Sequence, residues 1–313
     1  MARFQFGSSL VKRLTLVVLC AVAVASILTA TLVGIAAYQD NRNQILAHES
    51  QLTGLIVERI DAELAERRDA LVAFSDQLHD GYTLLDLQSL RQALESRVLL
   101  KSAFNNGLVI TDAQGNVIVD MPRVPGRVGQ NVSDREHFRQ VMSDKLPVIS
   151  PPVIGKATPE PLIGIISPIL SGRGELLGMI FGVIRLESDN LLNQVSANQL
   201  EQGGQIYVVD LDNEVIVAST VPDLALKPLG GLHVNPMLDK VRHGQVQGEA
   251  VSLNGESVIY SARHLDGVNW VVIHTLPAKL ALAPVNSLLL KLAILALLLV
   301  SLAGLVVTAV IRK

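Results

Sequence analysis

The sequence has 313 residues, which is enough for two modest domains together with membrane-spanning segments. Its formal net charge is only −3 and the charged residues are dispersed, so a nucleic-acid partner that needs a basic face is not expected. Cys20 is the single cysteine, which excludes a disulfide within the chain and a cysteine-based zinc site.

An uncharged apolar segment at residues 14–38 follows a short basic start at residues 1–13. About 20 apolar residues in a helix cross a bilayer core, so this segment is long enough to span a membrane. The alternative is a cleaved signal peptide, but the apolar part of a signal peptide runs about 7–15 residues and this run is longer. We therefore predict a retained membrane anchor with residues 1–13 in the cytoplasm.

Residues 39–80 are predicted to continue the first span as one long helix. The stretch Asp40–Leu78 contains one glycine, Gly54, and no proline, so no residue in it is expected to end the helix. Apolar residues recur there at intervals of three, four and seven, which predicts a narrow seam. The seam residues are Ile45, Leu52, Ile56, Ile60, Leu64, Leu71, Phe74 and Leu78. Two explanations fit this pattern: pairing of two copies into a homodimer, or packing on a second predicted helix at Leu84–Phe104.

A second apolar segment at residues 288–311 is followed by the basic residues 312–313. Basic residues thus flank both apolar segments on their chain-terminal sides. The positive-inside rule places both of these flanks in the cytoplasm and residues 39–287 outside. The sequence therefore predicts a two-span membrane protein with one large external domain.

The external domain contains a hairpin pattern that occurs twice. Short β-branched runs flank a polar turn in both copies, and each copy is followed by a polar helical stretch and two apolar strands. The four hairpin segments are Leu108–Asp112, Val117–Asp120, Ile206–Asp210 and Val215–Val217. The later apolar strands are predicted at Leu162–Leu170 and Leu176–Leu186 in the first copy and at Ser257–Arg263 and Trp270–Leu276 in the second. We predict an α+β fold with two antiparallel-sheet lobes, at residues 81–190 and 191–285, on the long helix. The alternative is an accidental match, since Val-Ile-Val hairpins are common.

The segment Val128–Met142 holds the strongest candidate for a binding site. Ser133 and Glu136 have the spacing of a capping box, which predicts that a helix begins there. Arg135 would then lie in the first turn, where unpaired N–H groups and the helix dipole favour an anion, and where a guanidinium suits a planar carboxylate. Phe138 shares its face and would supply an apolar floor. The alternative is that Arg135 is a solvated surface residue and Phe138 a core residue.

Two stretches, VGQNVSDREHFRQVMSDKLPVISPPVIG and WVVIHTLPAKLALAPV, carry a family resemblance. Together with two spans and two repeated lobes, they resemble the double-Cache (dCache) sensor domains of bacterial transmembrane receptors, most closely those linked to diguanylate cyclases. The resemblance implies a PAS-like, five-stranded antiparallel sheet in each lobe. It also implies a ligand in the membrane-distal lobe, and a location in the bacterial inner membrane with the main domain in the periplasm.

The amino-acid-binding branch of that family uses Arg-x-Trp-Tyr on the distal helix, a later tyrosine, and an aspartate on the last distal strand. Arg135 matches the arginine that anchors the carboxylate, whereas His137 and Phe138 stand at the tryptophan and tyrosine positions. Val153 and Val183 stand at the positions of the later tyrosine and the aspartate. An ammonium group buried beside Val183 would be unpaired, so the resemblance implies a small organic anion such as a dicarboxylate.

Ser150 and Ser167 lie on predicted strands of the same lobe, and we expect their hydroxyls to donate hydrogen bonds to that anion. The predicted function is an extracytoplasmic sensing module that passes a conformational change to a cytoplasmic output. That output would be a diguanylate cyclase, a histidine kinase or a chemotaxis module, in a longer chain or as a separate partner. The alternative is a membrane-anchored scaffold that binds a protein partner and no small molecule. No nucleophile-and-base arrangement is visible, so we expect no enzymatic activity, cofactor or metal.

Overall fold

The computed structural model describes residues 5–186, 203–221, 224, 226–229 and 235–312. The chain divides into two compact units, one formed by Met1–His48 with Pro277–Lys313 and the other by Glu49–Leu276. Its helices are α1 (Gln5–Ser75), α2 (Leu87–Ser96), α3 (Val98–Ala103), α4 (Glu136–Asp144), α5 (Pro236–Arg242), α6 (Ala278–Ala281) and α7 (Ala283–Arg312).

The strands fall into two groups along the chain. Those of the first sheet are β1 (Gly107–Asp112), β2 (Val117–Met121), β3 (Val148–Ile149), β4 (Val153–Ile154), β5 (Pro161–Leu170) and β6 (Leu176–Arg185). Those of the second sheet are β7 (Gln205–Asp210), β8 (Val215–Ser219), β9 (Gln247–Val251), β10 (Ser257–His264) and β11 (Trp270–Pro277).

Two of the helices are long and apolar enough to cross a membrane. These segments are Val17–Ser75 within α1 and Ala283–Val306 within α7. Their apolar windows are almost entirely exposed, with 6% and 0% of residues buried, as expected for surfaces that contact lipid rather than a protein core. Helix α1 continues without a break for 71 residues to Ser75, a little short of the predicted end at residue 80.

The predicted seam of α1 packs within the chain. Its residues Ile56, Ile60, Leu64, Leu71, Phe74 and Leu78 are buried in one core cluster with side chains from α2 and from both sheets. Packing inside the chain therefore accounts for this periodicity without a second copy.

The second predicted helix, Leu84–Phe104, is in fact two short helices. The break falls at Arg97, which leaves helical geometry at φ −97° and ψ 70° and places its guanidinium 5.7 Å from the centre of the Phe74 ring. Leu94 and Leu100 are both buried in the same core. In a continuous helix, residues six positions apart point about 120° away from each other, so the break lets both Leu94 and Leu100 face inward.

The first sheet is antiparallel, with strand order β2-β1-β6-β5-β3 and β4 also paired to β5. The resemblance implied five strands, and the sixth arises because one edge strand is split. The strands β3 and β4 pair with successive parts of β5 and are separated by Ser150, Pro151 and Pro152. Proline has no N–H to donate to a sheet, so the two prolines interrupt this edge.

The two faces of the first sheet have different neighbours because strand side chains alternate. On β5, Ile163 and Ile165 face the core shared with α1, while Ile166 faces Phe138 and Val141 of α4. The first sheet and α4 are together called the first lobe below.

The second sheet is antiparallel in the order β8-β7-β11-β10-β9 and repeats this arrangement. Val208 and Val272 face the core shared with α1, whereas Tyr207 and Ile273 pack with Met237 of α5 on the other face. The two predicted antiparallel sheets on a long helix are confirmed. The predicted boundary between the lobes, at residues 190 and 191, lies outside the described residues.

Equivalent aspartates organise the turns of the two repeated hairpins. Asp112 accepts hydrogen bonds from the backbone N–H groups of Gln114 and Asn116 and from the Asn116 side chain. Asp210 accepts the same set of bonds from Asp212 and Asn213. The repeat therefore extends from the order of the strands to the contacts that shape each turn.

Candidate functional site

A cavity of about 120 Å³ lies in the first lobe, on the face of the sheet that is turned toward α4. One water needs about 10–15 Å³ of such space, so the cavity holds on the order of ten small atoms. Its walls are largely apolar, formed by Val109, Val117, Val132, Val153, Leu162, Phe181 and Val183. This size and lining suit a small metabolite rather than a peptide.

Arg135 lines the cavity from the residue just before α4. It occupies the N-cap position with extended geometry, and its Nη2 donates a hydrogen bond of 3.2 Å to the carbonyl of Ile154. That carbonyl is a neutral acceptor, so the charge of Arg135 remains available beside the cavity.

A second arginine of the cavity wall, Arg127, was not predicted from the sequence. It is only 6% exposed, and its Nη1 and Nη2 donate to the carbonyl and the side-chain oxygen of Asn106 at 3.2 and 2.9 Å. Burial lowers the pKa of Arg127, nearby Asp120 opposes that change, and Arg185 adds to it. Arginine still stays protonated at neutral pH, so Arg127 brings a buried positive charge to the cavity.

Lys156 is the third cation of the wall, and it already has a carboxylate partner. Its Nζ lies 2.6 Å from Asp134 Oδ1 and 2.8 Å from the carbonyl oxygen of Asn131. This ion pair lowers the pKa of the exposed Asp134 carboxyl. Lys156 is therefore paired with a carboxylate of the chain, whereas the guanidinium groups of Arg127 and Arg135 bond only to neutral acceptors among the described residues.

Among the described residues that line the cavity, none is an aspartate or glutamate. The wall does include the Thr111 hydroxyl, which is fully buried and makes no hydrogen bond within the described structure. A buried polar group without a partner is costly, so Thr111 is ready to bond to a ligand.

His137 is a neutral member of the wall. Burial, together with the nearby charge of Arg135, lowers its pKa to about 4, while Asp134 opposes the change. The His137 ring meets Phe181 edge-on at 6.4 Å. At neutral pH its imidazole is therefore uncharged, and it can either donate or accept one hydrogen bond.

The structure brings together three of the five candidate site residues. Arg135, His137 and Ser150 line the cavity, although the Ser150 hydroxyl already accepts from Gly164 N–H and donates to the carbonyl of Pro151. Phe138 is buried behind the wall with Val141 and Ile166 rather than lining it. Its expected role as the cavity floor is taken by the valines and by Phe181.

Ser167 lies on the opposite face of the sheet. Its hydroxyl is 3.3 Å from the hydroxyl of Ser75 on α1, so the strand places it on the helix side and away from the cavity. Ser150 and Ser167 therefore lie on opposite sides of the first sheet, because Ser167 is one of the β5 residues whose side chains point toward α1.

The predicted capping box does not form. Both the N–H and the hydroxyl of Ser133 bond to the side-chain oxygen of Asn131, at 2.9 and 2.5 Å. Helix α4 therefore begins only at Glu136, and Arg135 precedes the first turn instead of lying in it.

Sequence patterns gave no sign of Arg127 and Thr111. Arg127 lies in a loop without periodicity, and its partner Asn106 is 21 residues away. Thr111 lies in a strand whose side chains alternate between the two faces, and this pattern alone does not single it out as a site residue. Only the register of β1 against β6 shows that Thr111 is on the cavity face.

A second opening, of about 520 Å³, borders the first lobe and the turns of the second sheet within the unit Glu49–Leu276. Glu136 and His137 line it on one side, and Asp212 and Trp270 on the other. His137 therefore borders both this cleft and the cavity.

A long helix that carries two antiparallel sheets, one of them with a small cavity on the face away from the helix, defines the Cache class of sensor domain. A family model for the Cache domain matches residues 37–285, so the chain belongs to the Cache-domain family. No curated protein matches the sequence.

Several solved structures share the fold. The ligand-binding domain of the Pseudomonas aeruginosa PAO1 amino-acid chemoreceptor PctB in complex with L-Arg has 18% identity and a TM-score of 0.63, over 78% of this chain and 92% of that one. The ligand-binding domain of the Pseudomonas fluorescens chemoreceptor CtaA in complex with L-isoleucine has 18% identity and a TM-score of 0.59, over 79% of this chain and 97% of that one.

An extracellular ligand binding receptor from Desulfohalobium retbaense is also similar, with 14% identity and a TM-score of 0.58 over 73% of this chain. The chain spans only 40% of that receptor's length. At these identities the likeness shows the fold and leaves the ligand open.

Proposed function

We propose that the chain is the ligand-sensing input of a bacterial transmembrane receptor, and that its first-lobe cavity binds a small organic carboxylate. The observation that carries this proposal is the charge balance of the wall. Arg127, Arg135 and Lys156 line the cavity, and no carboxylate does so among the described residues. A guanidinium presents paired N–H donors that match the two oxygens of a carboxylate.

The same charge balance disfavours a standard amino acid as the ligand. An α-ammonium group needs acceptors, but Val153 and Val183 occupy the wall where the amino-acid-binding branch has tyrosine and aspartate. Leaving a buried ammonium unpaired costs several kcal/mol or so. The ligands of the PctB and CtaA structures therefore do not transfer directly to this chain.

The packing supports a route for the signal. A ligand against the cavity face of the first sheet would bias one arrangement of that sheet on α1, by as much as its affinity differs between the two arrangements. The core cluster that includes α1 also contains Val208 and Val272 of the second sheet. Strand β11 of that sheet is followed directly by α6 and α7.

In this proposal α1 and α7 each cross the inner membrane, and the two sheets lie in the periplasm. The receiver of the signal is a cytoplasmic module such as a diguanylate cyclase, a histidine kinase or a chemotaxis module. The apolar lengths of both helices support this arrangement.

The test is thermal unfolding of the full-length protein in detergent, with acetate, butyrate, succinate, fumarate and L-alanine as separate probes at matched ionic strength. Because a ligand that binds only the folded state stabilises it by about 2.7 kcal/mol at 100 times Kd, a carboxylate ligand should raise Tm with concentration. Methylammonium serves as the control cation.

A complete lack of response to every carboxylate would overturn the proposal and favour the scaffold alternative. A Tm rise with L-alanine that exceeds the rise with each simple carboxylate would show that the cavity accepts a zwitterion. That result would contradict the argument from charge.

A further inference from the structure

We infer that the ligand is a dicarboxylate whose two ends are held by two different arginines, Arg127 and Arg135. This inference rests on the proposed function and makes it narrower. A site for a single carboxylate needs one guanidinium, whereas this cavity has two that no described carboxylate neutralises through a direct contact.

The burial of Arg127 is the first step of the argument. The described hydrogen bonds of its guanidinium go only to Asn106, through a carbonyl and an amide oxygen, both of which are neutral. Asp120 is close enough to favour the charge, but its Oδ2 accepts the N–H of Val124 at 2.7 Å and makes no described bond to Arg127. A charge that is buried without a paired counter-charge is costly, and a bound anion would remove that cost.

Arg135 supplies the second uncompensated charge. The described hydrogen bond of its guanidinium is to the carbonyl of Ile154, again a neutral acceptor. Lys156 offers an internal comparison, because it lines the same cavity and is already matched by Asp134 at 2.6 Å. Two of the three cations therefore have no carboxylate in direct contact among the described residues, and a ligand with two negative charges would match them.

The rest of the wall indicates that an apolar linker joins these two charges. Val109, Val117, Phe181 and Val183 form an apolar surface in the cavity that holds both arginines. Inorganic phosphate has no apolar part to cover that surface, whereas the methylene groups of a short dicarboxylate do. A volume of about 120 Å³ fits a molecule with four or five carbons, taken as roughly ten non-hydrogen atoms.

Thr111 gives independent support for a polar ligand on the sheet side. Its hydroxyl is 0% exposed and has no described partner, yet it lines the cavity. One carboxylate oxygen of the ligand can accept this hydroxyl proton while the arginines hold the others.

The first experiment compares succinate with butyrate on the full-length wild-type protein by isothermal titration calorimetry. The two probes have the same number of carbons and differ in the second carboxylate. A charge-assisted contact contributes enough to change Kd by about 10–100-fold, so succinate should bind more tightly than butyrate by that factor. Inorganic phosphate is measured as a third probe.

The second experiment uses variants at the new anchor. Arg127→Gln should weaken succinate binding by about 10–100-fold and leave butyrate binding nearly unchanged, since butyrate uses Arg135. Arg127→Lys keeps the charge in case the Gln variant fails to fold, and should retain part of the preference for succinate. Arg123→Gln is the matched control, because Arg123 is an exposed residue of the same loop.

Each outcome separates the two proposals. Equal affinities for succinate and butyrate in the wild-type protein, together with equal losses in Arg127→Gln, would overturn the dicarboxylate inference while the carboxylate site survives. Phosphate binding as tight as succinate binding would also overturn it, in favour of an inorganic dianion. Binding of none of the three probes would remove the support for the proposed function itself.

Discussion

Glu49 of α1 and His274 of β11 form a buried acid–base pair in which Oε2 lies 2.5 Å from Nδ1. Both side chains are only 1% exposed, and apart from this close contact neither the two oxygens of Glu49 nor the two ring nitrogens of His274 have a hydrogen-bond partner among the described residues. The pair joins the long helix to the strand that precedes the second apolar helix. Glu49 Oε2 and His274 Nδ1 have no other polar partner among the described residues, so removal of one side chain leaves the other without its contact.

Removing one member of this pair is expected to destabilise the fold unequally. His274→Leu leaves a buried carboxylate alone, which costs about 3–5 kcal/mol, whereas Glu49→Leu leaves an imidazole that can be buried neutral at a lower cost. The double variant should recover much of the loss. Thermal unfolding of the full-length variants in detergent measures this, and equal effects of the two single variants would contradict it.

The stability of the fold is expected to fall on acidification through His137. Its folded-state pKa is about 4 against an ordinary value of 6.5, so between these values the unfolded chain binds the proton and the folded chain does not. The free energy of unfolding is therefore highest above pH 6.5 and falls by roughly 3 kcal/mol as the pH drops toward 4. His137→Gln should flatten the dependence of Tm on pH in this window.

The control for that experiment is His264→Gln, since His264 is exposed at the end of β10. This variant should keep the wild-type pH dependence. If His137→Gln and wild type lose stability in parallel between pH 6.5 and 4, the depressed pKa of His137 is wrong.

Arg135→Ala is expected to weaken succinate binding by about 10–100-fold, because a charge-assisted contact is lost from the cavity. Arg139→Ala is the matched control, since Arg139 is an exposed residue of α4, four positions after Arg135, and does not line the cavity. Calorimetry on both variants decides the point. Comparable losses in the two variants would mean that the positive charge of α4 acts at long range and not by contact.

Gly182→Ala is expected to destabilise the first lobe by about 1–3 kcal/mol or more through overpacking. A methyl group added to Gly182 would overlap the ring of Phe104, which is buried and cannot move into solvent. Gly267→Ala is the control, because a methyl group there meets nothing within 4 Å. A Tm for Gly182→Ala within a degree or so of the control would show that the Phe104 ring has room to shift.

The sequence predicted the elements well where its signal was local and periodic. Strands β1, β2, β5–β8, β10 and β11 lie within one or two residues of their predicted bounds, because each combines β-branched residues with a turn. The short strands β3, β4 and β9 have too few such residues and were missed. The seam of α1 was visible because six of its apolar residues share one buried stripe.

The residues of the candidate site were harder to predict from the sequence. Placing Ser150 and Ser167 required knowing which side chains of β5 and its neighbours face α1, and that depends on the register of the sheet. Ser133 has a competing partner in Asn131, which a spacing rule does not see. Arg127 becomes a site residue only through its contact with Asn106 across the fold.

The alternation of side chains along β6 has a consequence for how this segment can change. Phe181 and Val183 face the cavity, while Ile180 and Ile184 pack toward α1, so a single layer of backbone separates the cavity from the core shared with the helix. Deleting one residue would exchange the two faces at every later position of the strand. The length of β6 is thus under a stricter constraint than its composition: apolar exchanges are tolerable there, but insertions and deletions must come in pairs.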